Sequence, residues 1–115
     1  MNLRKHLPPT FPNIICLCGS TKFQTVFERE NKRLTHEGYI VLSVGSFGHM
    51  DKMDMSSALK MYLDNLHKRK IDLSDWIFVL NVGNYIGDST KGEIIYANKT
   101  GKPVVYLQPL LKKEQ

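Results

Sequence analysis

The stretch Ile14-Ile15-Cys16-Leu17-Cys18-Gly19-Ser20-Thr21 decides the fold. Five apolar residues in a row, too few for a helix and with no polar alternation, read as a strand buried on both faces. Gly19-Ser20-Thr21 breaks the run, and a helical pattern follows from about Lys22 to Glu37. In that segment Phe23, Val26, Phe27 and Leu34 lie on one side, with Glu28, Arg29, Lys32 and Arg33 largely on the other. Gly38 is a natural stop for this helix.

The same alternation continues outward. Tyr39 to Val44 reads as a second buried strand. A glycine-rich loop, Gly45 to Lys52, separates it from a second helix capped by Ser56 and running to about Lys70, with Leu59, Tyr62, Leu63 and Leu66 as its apolar stripe. Trp76 to Asn81 is the third strand, Val82 to Thr90 a loop, and Lys91 to Thr100 a third helix. Val104 to Leu107 is the fourth strand. Strands alternating with helices predict right-handed crossovers and an open parallel sheet of about four to five strands, Rossmann-like or flavodoxin-like, in the α/β class.

The rest of the chain sets bounds. A length of 115 residues, 42% hydrophobic and 23% charged, suits one domain with one core. The expected division is an arm over residues 1–13, a domain over 14–111 and a tail over 112–115. No apolar run approaches the ~20 residues that span a bilayer, and no apolar segment follows the basic N-terminal stretch as a signal peptide would require. A cytoplasmic protein with no membrane association is the expectation. The net charge of +5 favours anionic ligands in general. Its thin spread, with local groups only at Lys68-Arg69-Lys70 and Lys112-Lys113, argues against a nucleic-acid binder.

Cys16 and Cys18 stand two apart on a strand and therefore share one face. A disulfide between such neighbours is strained, and a metal site needs further ligands nearby. The plain reading is two small buried hydrophobes.

In open parallel sheets, ligands bind beyond the carboxyl ends of the strands. That rule selects Gly19 to Lys22, the Gly45–Asp54 loop and Asn81 to Glu93. Gly19 lets the backbone approach a ligand, while Ser20, Thr21 and the first helical N–H groups suit a phosphate. One glycine satisfies neither the Walker pattern nor the dinucleotide fingerprint, and an ordinary helix cap would look the same. Asp88 and Glu93, with Ser89 and Thr90 between them, form a dense polar cluster. Paired carboxylates suit cleavage of a glycosidic bond, yet Glu93 read as a first-turn residue is also a capping-box partner for Ser89 or Thr90. His67 precedes Asp72 and Asp75 near the end of the second helix, where a lone histidine is ordinarily surface or core filler. His49, Asp51 and Asp54 suggest either a metal or a mobile lid over a nucleobase.

Taken in order, Cys18-Gly19-Ser20-Thr21, Asp72 to Asn81, Gly87 to Ala97 and Gly101 to Leu107 resemble the nucleoside 2-deoxyribosyltransferase-like superfamily, which includes the 2′-deoxynucleoside 5′-phosphate N-hydrolases. The likeness runs from Ile14 to Leu107. It implies a Rossmann-like fold, a homodimer or larger homo-oligomer with sites near the subunit interface, a nucleoside or nucleotide substrate, and no metal or other cofactor. It further implies Glu93 as nucleophile, Asp88 as the assisting aspartate, and Gly19 and Ser20 on the 5′-phosphate, with Ser89 a second phosphate or sugar contact. Two positions depart from the pattern. Cys16 stands where many members carry a tyrosine, and His67 where an aspartate is expected, so His67 either takes over acid–base duty or the chain binds without cleaving. The expected site is therefore Glu93, Asp88 and His67 for catalysis. Cys18, Gly19, Ser20, Thr21, Lys22, Gly45, Phe47, His49, Asn81, Gly87, Ser89 and Thr90 are expected to hold the substrate.

Overall fold

The computed structural model describes residues 11–47 and 56–110. They form an α/β layer structure around four parallel strands: β1 (Ile14–Cys18), β2 (Ile40–Leu42), β3 (Trp76–Val79) and β4 (Val104–Tyr106). Three helices connect them: α1 (Gln24–His36), α2 (Ser57–Leu73) and α3 (Asp88–Lys99). The spatial order is β2-β1-β3-β4, with Cys16 opposite Leu42 on one side and Ile77 on the other. This is the open, doubly wound arrangement expected from the sequence, in which β1 and β3 are neighbours whose chains then leave in opposite directions.

The two-residue period of β1 divides the core. Ile15 and Leu17 join Phe27, Leu34, Phe78 and Leu80 under α1. Cys16 and Cys18 point to the opposite face, with Ile77 and Val79 of β3, Ile71 of α2 and Ala97 of α3. Both faces of the central strands are thus covered, which is why their sequences are apolar throughout.

Helix ends follow local chemistry. Gly38 takes φ +96°, and the N–H groups of Gly38 and Tyr39 donate to the carbonyls of Thr35 and Leu34, closing α1. Ser56 caps α2 by accepting the Leu59 N–H at 3.2 Å. Two details differ from the sequence reading. Only His67 and Ile71 of α2 are buried, while Tyr62 and Leu66 are exposed, so the apolar stripe does not meet the sheet. The third helix starts at Asp88, three residues before Lys91, with Gly87 as its N-cap and no side-chain cap. Among the described residues, no helix is long and apolar enough to cross a membrane.

Candidate functional site

Beyond the carboxyl ends of β1 and β3 lies a cleft of about 760 Å3. Its walls come from four places: the Gly19-Ser20-Thr21 turn, Val44-Gly45-Ser46 after β2, the inward side of α2, and Tyr85 with Gly87 to Thr90 and Glu93. The switch point between β1 and β3 is where a parallel sheet of this order opens such a crevice. The volume falls within the range of small-molecule sites.

The turn after β1 is shaped by close packing. A Cβ at Gly19 would lie 3.3 Å from both the carbonyl oxygen and the Cβ of Leu80. Ser20 then sits in extended conformation and its Oγ accepts the Lys22 N–H at 3.4 Å, opening a short 3-10 turn, Thr21–Phe23. Lys22 itself turns outward. Its ammonium lies 3.6 Å from the centre of the Tyr85 ring, bracing a cleft wall rather than lining the cleft.

Because α3 begins at Asp88, Glu93 falls in the second turn and not the first. The capping-box alternative is thereby removed, since the N3 place belongs to Thr90. Glu93 is buried, 9% exposed, and lines the cleft floor, whereas Asp88 is exposed at the helix start. Burial raises the Glu93 carboxyl to about 7, against a partial offset from His67.

His67 is the centre of the polar floor. Its Nε2 lies 3.5 Å from Cys16 Sγ, 3.5 Å from Cys18 Sγ and 4.0 Å from Glu93 Oε1. Both cysteines are fully buried and free. The two thiols behave as a pair. Cys16 is pulled below the usual thiol range by the hydrogen bond from Cys18, against its own burial and with help from His67. Cys18 is pushed well up by the same interaction, by burial, and by the nearby Cys16 and Glu93 charges. Burial opposes a charge on His67, but the hydrogen bond and charge of Cys16, then the charge of Glu93, outweigh it and raise its pKa. The plain reading of these residues as apolar filler misses an interacting cluster.

Of the residues expected from sequence, Gly19, Ser20, Thr21, Gly45, His67, Gly87, Asp88, Ser89, Thr90 and Glu93 do line one cleft. Cys18 lies beneath the floor. Two others serve packing. Phe47 stacks edge-on against Phe27 at 5.5 Å, in the core under α1. Asn81 is fully buried and spends its side chain on Gln108, accepting its N–H and donating to its carbonyl, both at 2.9 Å. His49, Asp51 and Asp54 lie outside the described residues.

From α2 the sequence reading found His67 but missed Lys60, Asp64 and Lys70. Lys60, Asp64, His67 and Lys70 all line the cleft. Lys60 Nζ donates to Ser89 Oγ at 2.6 Å and pairs with Asp64 at 3.0 Å, tying α2 to the start of α3. Lys70 Nζ donates to the Ser43 carbonyl at 2.7 Å, tying it to the end of β2. Their spacing of four, three and three residues is a single helical face, a signal that was available in the sequence. No protein-family model, no curated protein and no solved structure matches this chain.

Proposed function

We propose that the cleft takes a nucleoside or nucleoside 5′-monophosphate and that Glu93 cleaves or transfers its N-glycosidic bond. The observation that carries this reading is the pairing, across one cleft, of a buried carboxylate with a glycine–hydroxyl turn suited to a phosphate. The turn offers Ser20, Thr21 and the cleft-lining backbone of Gly19, with the basic Lys60 on the neighbouring wall. The resemblance of the motifs to the deoxyribosyltransferase-like superfamily points the same way.

In this mechanism a Glu93 carboxylate oxygen attacks C1′ as the C1′–N bond breaks, and the departing base takes a proton from Asp88 or His67. The glycosyl–enzyme ester is then opened by water or by a second base. The reading also carries a homodimer or larger homo-oligomer. Met61 and Tyr62 on α2 are large, apolar and exposed beside the cleft-lining residues of the same helix, which supports it.

A second reading, a non-catalytic nucleotide binder, draws on the crowding of Glu93 by His67 and the two thiols. One experiment separates the two. The protein is incubated with a panel of nucleosides and their 5′-monophosphates, and free base is followed by chromatography beside a Glu93→Gln control. Base release that the control abolishes supports catalysis. A ligand that binds by calorimetry and is recovered intact supports the binder, and a panel that neither binds nor reacts overturns both.

A further inference from the structure

The Cys16–Cys18–His67 cluster under the cleft floor has more structure than packing requires. Residues two apart on a strand have Cα atoms about 6.6 Å apart. The Cys16 and Cys18 sulfurs nevertheless converge with His67 Nε2 so that all three atoms lie within 4.8 Å of one another. Each sulfur is 3.5 Å from Nε2. With zinc–sulfur and zinc–nitrogen bonds of about 2.3 and 2.0–2.1 Å, a tetrahedral ion separates each sulfur from the nitrogen by about 3.5–3.6 Å. Both sulfur–nitrogen spacings present are those of ligands around a common centre.

We propose that Cys16 Sγ, Cys18 Sγ and His67 Nε2 bind one Zn2+ ion, with the fourth position turned toward Glu93. The donor set is two soft thiolates and an imidazole, which selects zinc over the hard oxygen-seeking cations. Charge supports the assignment. Two thiolates side by side repel one another and are poorly solvated when buried, and Cys16 and Cys18 are both fully buried. A divalent cation neutralises both, and the thiol protons leave to solvent.

Glu93 Oε1 lies 4.0 Å from Nε2, against about 3.4 Å for two ligands of a tetrahedral zinc, so a modest rotation of its side chain completes the shell. The ion has a route in, since His67 and Glu93 both line the cleft. The resemblance implied a metal-free site. Zinc binding rests on the three donors alone and requires no glycosidic activity. If Glu93 closes the shell, the bound ion occupies the carboxylate that the proposed reaction uses.

The test is titration of the metal-stripped, reduced chain with Co2+ and then Zn2+. Cys16 and Cys18 are the two cysteines of the sequence, so any sulfur-to-cobalt charge-transfer band reports this pair. The expected result is one equivalent of Co2+ giving that band with the intense visible bands of a tetrahedral site, all displaced by Zn2+. Cys18→Ser and His67→Gln should each weaken Zn2+ binding by at least about tenfold, the low end of what even an outer-shell change costs. Far-ultraviolet circular dichroism checks that these variants remain folded. Glu93→Gln should keep the charge-transfer band, because it leaves the three donors in place. Absence of the band in the wild-type chain overturns the proposal whatever the variants do. So does a weak octahedral spectrum, which would put the cation on surface carboxylates.

Discussion

Replacing Glu93 by Gln should make the protein more stable at alkaline pH and leave it unchanged at acid pH. The folded-state pKa of Glu93 is raised from 4.5 to about 7, first by burial, against His67 and Cys18, with Cys16 and Asp64 adding repulsion. A carboxyl with a raised pKa binds its proton more tightly in the folded chain than in the unfolded one. Its ionisation therefore costs stability progressively between pH 4.5 and about 7, and the whole cost is present above that window. Two and a half pKa units correspond to about 3 kcal/mol, an upper figure for a side chain still in touch with the cleft. The amide in Gln keeps the shape without the charge and removes that cost.

The assay is urea unfolding of metal-stripped protein at pH 5 and pH 8, followed by the fluorescence of Trp76, the only tryptophan. Trp76 packs edge-on against Tyr39 and Phe78, so its emission reports the core. With an ordinary urea slope of about 1–3 kcal/mol per molar, the variant's midpoint should rise by on the order of 1–2 M at pH 8. At pH 5, just inside the window, the gain should shrink to about a quarter of that. Comparing the variant with wild type at each pH cancels most of the titration of Cys16, Cys18 and His67, which is common to both. An equal gain at both pH values, or none at pH 8, would refute the view that Glu93 is held in place at the expense of stability.

Three further substitutions test the frame around the site. Asn81→Ala should cost about 1–3 kcal/mol, because the buried amide it removes satisfies both backbone groups of Gln108, and ligand affinity should change little; denaturant midpoints and calorimetry read the two effects separately. Gly19→Ala brings a methyl within 3.3 Å of Leu80 and 3.4 Å of Phe27, so it should destabilise by about 1–3 kcal/mol and weaken phosphate binding together. Phe27→Ala empties the centre of the core under α1 and should cost about 3–5 kcal/mol in the same unfolding assay.

The sheet was legible because its central strands are buried on both faces and carry no polar residue to confuse the pattern. The loops at their carboxyl ends then followed from topology, which is why Gly19 to Thr21 and Gly87 to Glu93 meet in one cleft. The second helix misled for a physical reason. Leu59, Tyr62, Leu63 and Leu66 looked like a core stripe, but only the later part of α2, at His67 and Ile71, packs in the core. The earlier part carries Lys60 and Asp64 along the cleft, where charge is solvated and useful. Asn81 was read as a ligand contact because a polar residue at a strand end commonly is one. Here it stitches the end of β3 to Gln108, a partner 27 residues away that no local pattern reveals.

The alternation along β1 ties the fate of the core to that of the site. Every step along that strand gives one residue to the packing under α1 and the next to the layer beneath the cleft floor, so neither set can be moved alone. A single-residue deletion just before Ile15 would not merely loosen the protein. It would turn the apolar side chains toward the cleft and carry both thiols under α1. Variation that retunes the chemistry of this floor is therefore confined to changes of residue type at fixed positions, whereas the loops that form the walls remain free to change in length.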